Sequence, residues 1–361
     1  MTAILSFFLV LGVLVCIHEL GHFVAARLSG VRVDEFGFGF PPKIVGKKIG
    51  NTEYTLNWLP LGGFVRIKGI AGETEAEDLM AEDSFQSKTF LQKSFILLAG
   101  VAMNFLLAIV LFTIVFTIGT RIPLSAASEN AILSDSALVV THVMEDSVAS
   151  TSGLLPGDTI IGAGNIEYPA YTALTDLLQS SEGSKIAITV KRDEEIVELT
   201  VIPESVVVDE RTYVGIGIGA QETAFARYSF IDAVSHSISQ TWNLTVLILV
   251  SLGQMLVDLF TGAGVSEDLA GPVGIAKMTG EVARQGIINL LYFAAILSIN
   301  LGIFNLLPIP ALDGGRWVFV IWEHLTGKPL SENIQAKIHQ TGFALLILLI
   351  VVVTVQDIIR L

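Results

Sequence analysis

The chain has 361 residues, of which 52% are hydrophobic and 16% charged, and its formal net charge is −14. That apolar share exceeds what soluble domains carry and places the chain among integral membrane proteins. The acidic balance argues against nucleic acid as a partner, because that role needs a basic face. The length suits two or three domains, and one cysteine, Cys16, excludes an internal disulfide.

The first apolar run, Ile4 to about Ala26, holds His18, Glu19 and His22 as H-E-L-G-H. Ionisable side chains at mid-helix depth cost about 2.5–3.5 kcal/mol each on insertion scales, so something must offset three of them. His18 and His22 are four apart and share a helix face, where two imidazoles can reach one zinc ion with Glu19 beside them as general base. A surface helix would carry polar residues on its far side, and this one is apolar all round. No Lys or Arg precedes Arg27, so the run is expected to be a retained transmembrane helix rather than a signal peptide.

The loop that follows alternates aromatic and β-branched residues with glycine, from Val31 to Phe40 and again from Thr52 to Trp58, around Pro41-Pro42. That pattern predicts β-hairpins. Two readings stand: a small hairpin packed on the loop, or one that dips towards the membrane beside the metal and offers an edge to a substrate strand. A second apolar run, Phe95–Ile118, has 24 residues without charge, enough to cross about 30 Å.

Residues 134–204 read as a compact soluble domain. Leu138–Val143 is a predicted strand, 152–158 a Gly/Pro-rich turn, and Ala173–Gln179 a short helix. Lys185–Lys191 and Glu195–Val201 form a predicted hairpin. His142 is isolated there and has no metal partner in the pattern.

A third apolar run, Leu244–Leu256, is short and suits either a span or a re-entrant or interfacial helix. The fourth, Ile287–Leu307, meets Pro308 and Pro310, each of which removes an N–H donor and unwinds the backbone at membrane depth. Irregular backbone at that depth must face protein or a polar cavity. Asp313 follows at once and is the expected third zinc ligand, completing a two-histidine, one-carboxylate set. The alternative is a helix-capping Asp before Gly314-Gly315. Asn300 and Asn305 need partners, supplied either by an unwound substrate backbone or by neighbouring helices. The fifth run is Phe343–Val355.

Nine basic residues between Arg27 and Lys93 put that loop in the cytoplasm by the positive-inside rule. The amino terminus and the segment after Ile118 are then outside. Acidic residues gather in soluble stretches such as Glu73–Asp83.

Four motifs carry a resemblance: H-E-L-G-H (His18–His22), L-G-G-F-V-R (Leu61–Arg66), G-P-V-G-I-A (Gly271–Ala276) and N-L-L-P-I-P-A-L-D-G (Asn305–Gly314). With them the chain resembles the site-2 protease family of intramembrane zinc metalloproteases, in its bacterial regulator of sigma-E protease branch. The resemblance implies Zn2+ held by His18, His22 and Asp313, with Glu19 as catalytic acid/base. It implies a substrate-holding Asn305 and a membrane-associated hairpin whose edge, in the region of Phe36, Gly37, Phe38 and Gly39, meets substrate. Asn300 joins the candidate substrate contacts.

The expected architecture is an α-helical polytopic membrane protein with about four transmembrane helices, a membrane-associated β-hairpin region and an inserted β-rich PDZ domain. Its expected parts are 1–118, an extracytoplasmic PDZ domain at 119–210, a linker with a membrane-associated helix at 211–285, and 286–361. Some relatives carry two PDZ domains, and this chain has room for one. The implied partners are single-span membrane proteins (anti-sigma factors or signal-peptide remnants) and the lipid bilayer; the implied place is the bacterial inner (plasma) membrane. Two other classes compete: a catalytically silent scaffold that binds peptides through its PDZ domain, and a metal transporter. The first conflicts with the intact His18, Glu19, His22 and Asp313. The second conflicts with the clustering of these residues at one point.

Overall fold

The structure is a computed structural model that describes residues 2–70, 81–192, 195–208, 211–261, 271–328 and 330–359. The acidic stretch Glu73–Asp83 lies mostly outside the described residues. The chain forms two compact units, Met1–Val115 with Ala233–Leu361, and Phe116–Asp232.

The first unit opens with helix α1 (Thr2–Leu28), followed by long strands β1 (Val33–Ile49) and β2 (Thr52–Ile67) and helix α2 (Phe90–Ile118). Both strands change partner midway, at Pro41-Pro42 and at Pro60, where the missing N–H interrupts a ladder. Phe36 therefore pairs with Val65 on one side and Tyr54 on the other, and Phe38 pairs with Gly63 and Leu56. Val45 to Lys47 pair with Leu56 to Tyr54 further out. The residues at the root of these strands, Val31, Val33 and Ile67, share a buried apolar cluster with Ala25, Ala26 and Ile96.

In the second unit come β3 (Thr120–Pro123), β4 (Ile132–Val143), α3 (Val148–Thr151), β5 (Thr159–Ala163), β6 (Ile166–Glu167) and α4 (Tyr171–Ser180). They are followed by β7 (Ile186–Arg192), β8 (Glu195–Val201), β9 (Glu204–Val208), β10 (Arg211–Gly215) and β11 (Ile218–Arg227). The main sheet runs β3-β11-β4-β5-β7-β8, with β6 on β5, while β9 and β10 pair separately. Leu138, Val140, Ile160, Ile188 and Val190 fill its core with Leu174 of α4. The expected boundary at residue 210 is too early. β11 lies between β3 and β4, so the unit needs the chain as far as Asp232.

The chain returns to the first unit through α5 (Phe230–Thr261), α6 (Pro272–Arg284), α7 (Ile287–Leu306), α8 (Asp313–Thr326) and α9 (Glu332–Ile359). Among the described residues, four helical stretches are long and apolar enough to cross a membrane: Ala3–Leu28, Phe90–Ile118, Ile287–Leu306 and Ile334–Ile359. α5 is longer than its apolar run and carries Asp232, His236, Gln254 and Asp258. The carboxylate of Asp357 in α9 accepts from the amides of Gly271 and Gly274 at 3.0 and 2.8 Å, and so caps the start of α6 with a negative charge.

Candidate metal centre and active site

Helix α1 places His18 and His22 one turn apart, with ring centroids 4.8 Å from each other. Helix α2 passes directly against them. His22 Nδ1 lies 2.8 Å from the backbone carbonyl of Ile96. The third element arrives from the far end of the chain. α7 stops at Leu306, the prolines hold the next residues out of helix, and Ala311 turns at φ 84°. α8 then starts on Asp313. Its first turn folds back on the end of α7 so closely that a Cβ on Gly314 would stand 2.2 Å from the Leu306 carbonyl oxygen.

The result is a tight cluster. Asp313 Oδ2 is 2.9 Å from His18 Nε2 and 3.1 Å from His22 Nε2, and the two nitrogens are 3.1 Å apart. A backbone carbonyl can only accept, so His22 carries a proton on Nδ1, and in the neutral ring Nε2 then turns a lone pair towards the Asp313 oxygen. Two acceptors 3.1 Å apart repel unless a cation lies among them. The donor set, two imidazoles and one carboxylate, suits zinc with an open fourth position.

Residues 6–349 match peptidase family M50. The chain belongs to this family. Its members include the site-2 proteases, so the chain is a membrane-embedded zinc metalloprotease. A protein of Clostridium acetobutylicum is 34% identical over 357 residues, covering 99% of this chain and 96% of its own. The zinc metalloprotease RasP of Geobacillus kaustophilus is 30% identical, covering 99% of this chain and 97% of its own. The regulator of sigma-W protease RasP of Bacillus subtilis is 30% identical, covering 99% and 98%. A solved PDZ domain of an SdrC-like protein from Listeria innocua is 23% identical over 23% of the chain, with a TM-score of 0.21, too low to argue a fold from.

In this M50 peptidase the three candidate ligand atoms open onto a cavity of about 360 Å³. Glu19, Phe64, Val65, Ile67, Asn305 and Arg316 line it. Asn305 keeps its amide Nδ2 on the Leu301 carbonyl at 3.0 Å, which leaves its oxygen for the cavity. Asn300 does not line the cavity. Phe36, Gly37, Phe38 and Gly39 do not line it either, and here the expectation needs correcting. Their strand is paired on both sides, so it has no edge to offer. Phe36 packs its ring at a tilt against Phe23 and Tyr54 instead. The strand beside this cavity is the next one, Gly63 to Ile67.

Sequence reasoning missed Asn104, Gly100, where an added Cβ would stand 2.4 Å from His22 Nε2, and Arg316, which lines the cavity. Asn104 is fully buried 3.1 Å from His18. A usable signal existed, since it is the one amide in the apolar run Phe95–Ile118. Gly100 and Arg316 carry no such mark, because their roles depend on which helices meet.

Proposed function

We propose that this chain is an intramembrane protease that cuts peptide bonds within the transmembrane segments of single-span membrane proteins. One observation carries the reading: His18, His22 and Asp313, 295 positions apart at the extremes, bring three ligand atoms within 4.8 Å of one another. They do so on or beside helices apolar enough to lie in a bilayer. In this reading the three hold Zn2+, which supplies a Lewis acid that polarises a carbonyl and acidifies water.

Glu19 lines the same cavity and takes the proton from the attacking water. It then delivers that proton to the amide nitrogen as the carbon–nitrogen bond breaks. A substrate helix hides its carbonyls in i to i−4 bonds and must unwind first. The strand Gly63–Ile67 replaces the lost bonds by pairing along its edge, and the Asn305 oxygen accepts one more. This assigns edge pairing to the strand that follows Phe36–Gly39.

The excess of Lys and Arg between Arg27 and Lys93 supports a cytoplasmic placement for that loop. The β-rich unit is then extracytoplasmic and serves as a single PDZ domain that selects substrates. The host membrane is the bacterial plasma membrane, and the name of the Bacillus subtilis relative supports a substrate that controls a sigma factor.

The test is reconstitution in vesicles with a single-span substrate, comparing the wild type with Glu19→Gln. The expected outcome is a cut inside the span by the wild type only, with equal zinc in both. If both forms hold zinc and neither cuts, the protease reading fails and a peptide-binding scaffold takes its place.

A further inference from the structure

We infer that Asn104, in the middle of α2, is the positioning residue that sets the tautomer of His18 for the metal. The inference rests on the reading of His18 as a zinc ligand.

A neutral imidazole carries one N–H. If Nε2 of His18 gives its lone pair to a cation, the proton is on Nδ1, and at that depth it needs an acceptor. For His22 the backbone of Ile96 supplies one. For His18 the group in place is the side-chain amide of Asn104, 3.1 Å from Nδ1. Asn104 is fully buried, and Ser298 Oγ donates to its backbone carbonyl at 2.8 Å, which ties this turn of α2 to α7.

The amide stands with Nδ2 towards the ring, and its oxygen has no hydrogen-bond partner among the described residues. In that orientation Nδ2–H donates to Nδ1, the proton is forced to Nε2, and the metal-facing lone pair is gone. The two ends of an amide are nearly equal in size, so a half turn exchanges them with little steric change. Oδ1 then accepts from Nδ1–H, and the Nε2 lone pair faces Asp313 and His22. One buried amide therefore selects between a metal-ready and a metal-blocked imidazole. No second histidine ligand depends on a replaceable side chain in this way, so the effect is specific to His18.

Partners of this kind are worth about 10–100-fold in metal affinity. The test measures zinc retained by the full-length protein in detergent against a graded series of zinc buffers. Cobalt-substituted protein is read in parallel by its visible ligand-field bands. Asn104→Leu and the less bulky Asn104→Ala are expected to weaken zinc binding about 10–100-fold and to shift the cobalt bands. Asn104→Asp, which keeps an acceptor, restores both. Ser298→Ala, which changes packing but not the amide, stays at the wild-type value. Zinc held as tightly by the Leu and Ala variants as by wild type, while His18→Ala is empty, overturns the inference and leaves the ligand reading intact. Failure of Asn104→Asp to restore affinity overturns it too. A wild type without zinc, or a loaded His18→Ala, instead removes the ligand reading itself.

Discussion

A Cβ on Gly100 would stand 2.4 Å from Nε2 of His22, so nothing larger than a hydrogen fits between α2 and the nitrogen that faces Asp313. The same atom would lie 2.8 Å from Cε1 of His18. α2 cannot back away, because Ile96 and Leu97 just before Gly100 are packed in the apolar core.

Gly100→Ala is therefore expected to push both rings off their positions and break the hydrogen bond from His22 to Ile96. A displacement of about 1 Å is enough to cost about 100-fold in activity. Metal analysis and substrate cleavage check this together. Full zinc content with wild-type cleavage in the Ala variant would refute the close approach.

Lys93 of α2 and Glu323 of α8 are 230 positions apart and joined by two hydrogen bonds of 2.9 Å. The lysine side chain is 4% exposed and the glutamate 32%. The asymmetry predicts unequal costs. Glu323→Ala strands a buried ammonium and is expected to cost about 2–3 kcal/mol, below the range for a fully buried pair because water reaches the carboxylate end. Lys93→Met leaves a carboxylate that water can reach, and costs about 0–1 kcal/mol. Thermal unfolding of both single variants and the double variant forms a closed cycle. The double variant is expected to be more stable than Glu323→Ala alone. Equal costs for the two single changes would show that the pair is not buried at its lysine end.

How far the sequence could be read depended on distance along the chain. His18, His22 and Asp313 stood out locally, because charge in an apolar run and proline after an apolar helix are visible one segment at a time. The four long apolar helices were legible for the same reason. The strand beside the cavity was not. Pro41-Pro42 and Pro60 could be read as breaks, but which strand comes to lie by α1 depends on contacts such as Gly62 against Val15. β11 was also hidden: its run Ile218–Arg227 holds charged and small residues, and only its pairing with β3 and β4 brings it into the domain. Asn104 was visible as an oddity, yet its partner is 86 positions away.

Acid is expected to loosen the β-rich unit through Asp158. Its carboxylate is 1% exposed and holds Arg192 by two hydrogen bonds of 2.7 Å, and it also accepts from the Leu155 amide at 2.9 Å. Burial alone would raise its pKa. The hydrogen bonds from Arg192, the Leu155 N–H and the guanidinium charge outweigh burial and hold the carboxyl below its usual range. A depressed carboxylate contributes stability that is fully present above its unfolded value of about 3.9 and is lost as pH falls through the lower folded value. Hydrogen exchange across residues 138–201, corrected for intrinsic rates, should therefore be flat from neutral pH down to about 4 and rise below it. Asp158→Asn removes this dependence and raises exchange at pH 7. A wild-type profile still flat well below pH 4 would contradict the assignment.

The turn that delivers Asp313 carries strain at Ala311, whose φ of 84° lies in the region that L side chains avoid. Left-handed backbone costs an alanine about 1–2 kcal/mol. Glycine would remove that cost but gives the unfolded chain more freedom, worth about 0.5–1 kcal/mol in the other direction. The balance predicts that Ala311→Gly is neutral to about 1 kcal/mol stabilising. Ala311→Val works the other way, since a β-branched side chain fits this region worse and would also intrude on the cavity that Ala311 lines. Asp313 is two residues further on, so the valine is expected to lower cleavage more than it lowers stability, and glycine to leave cleavage near wild type. Thermal unfolding and cleavage rates of the two variants test this together. If valine is tolerated and glycine destabilises, the turn is not left-handed, and the delivery of Asp313 needs another explanation.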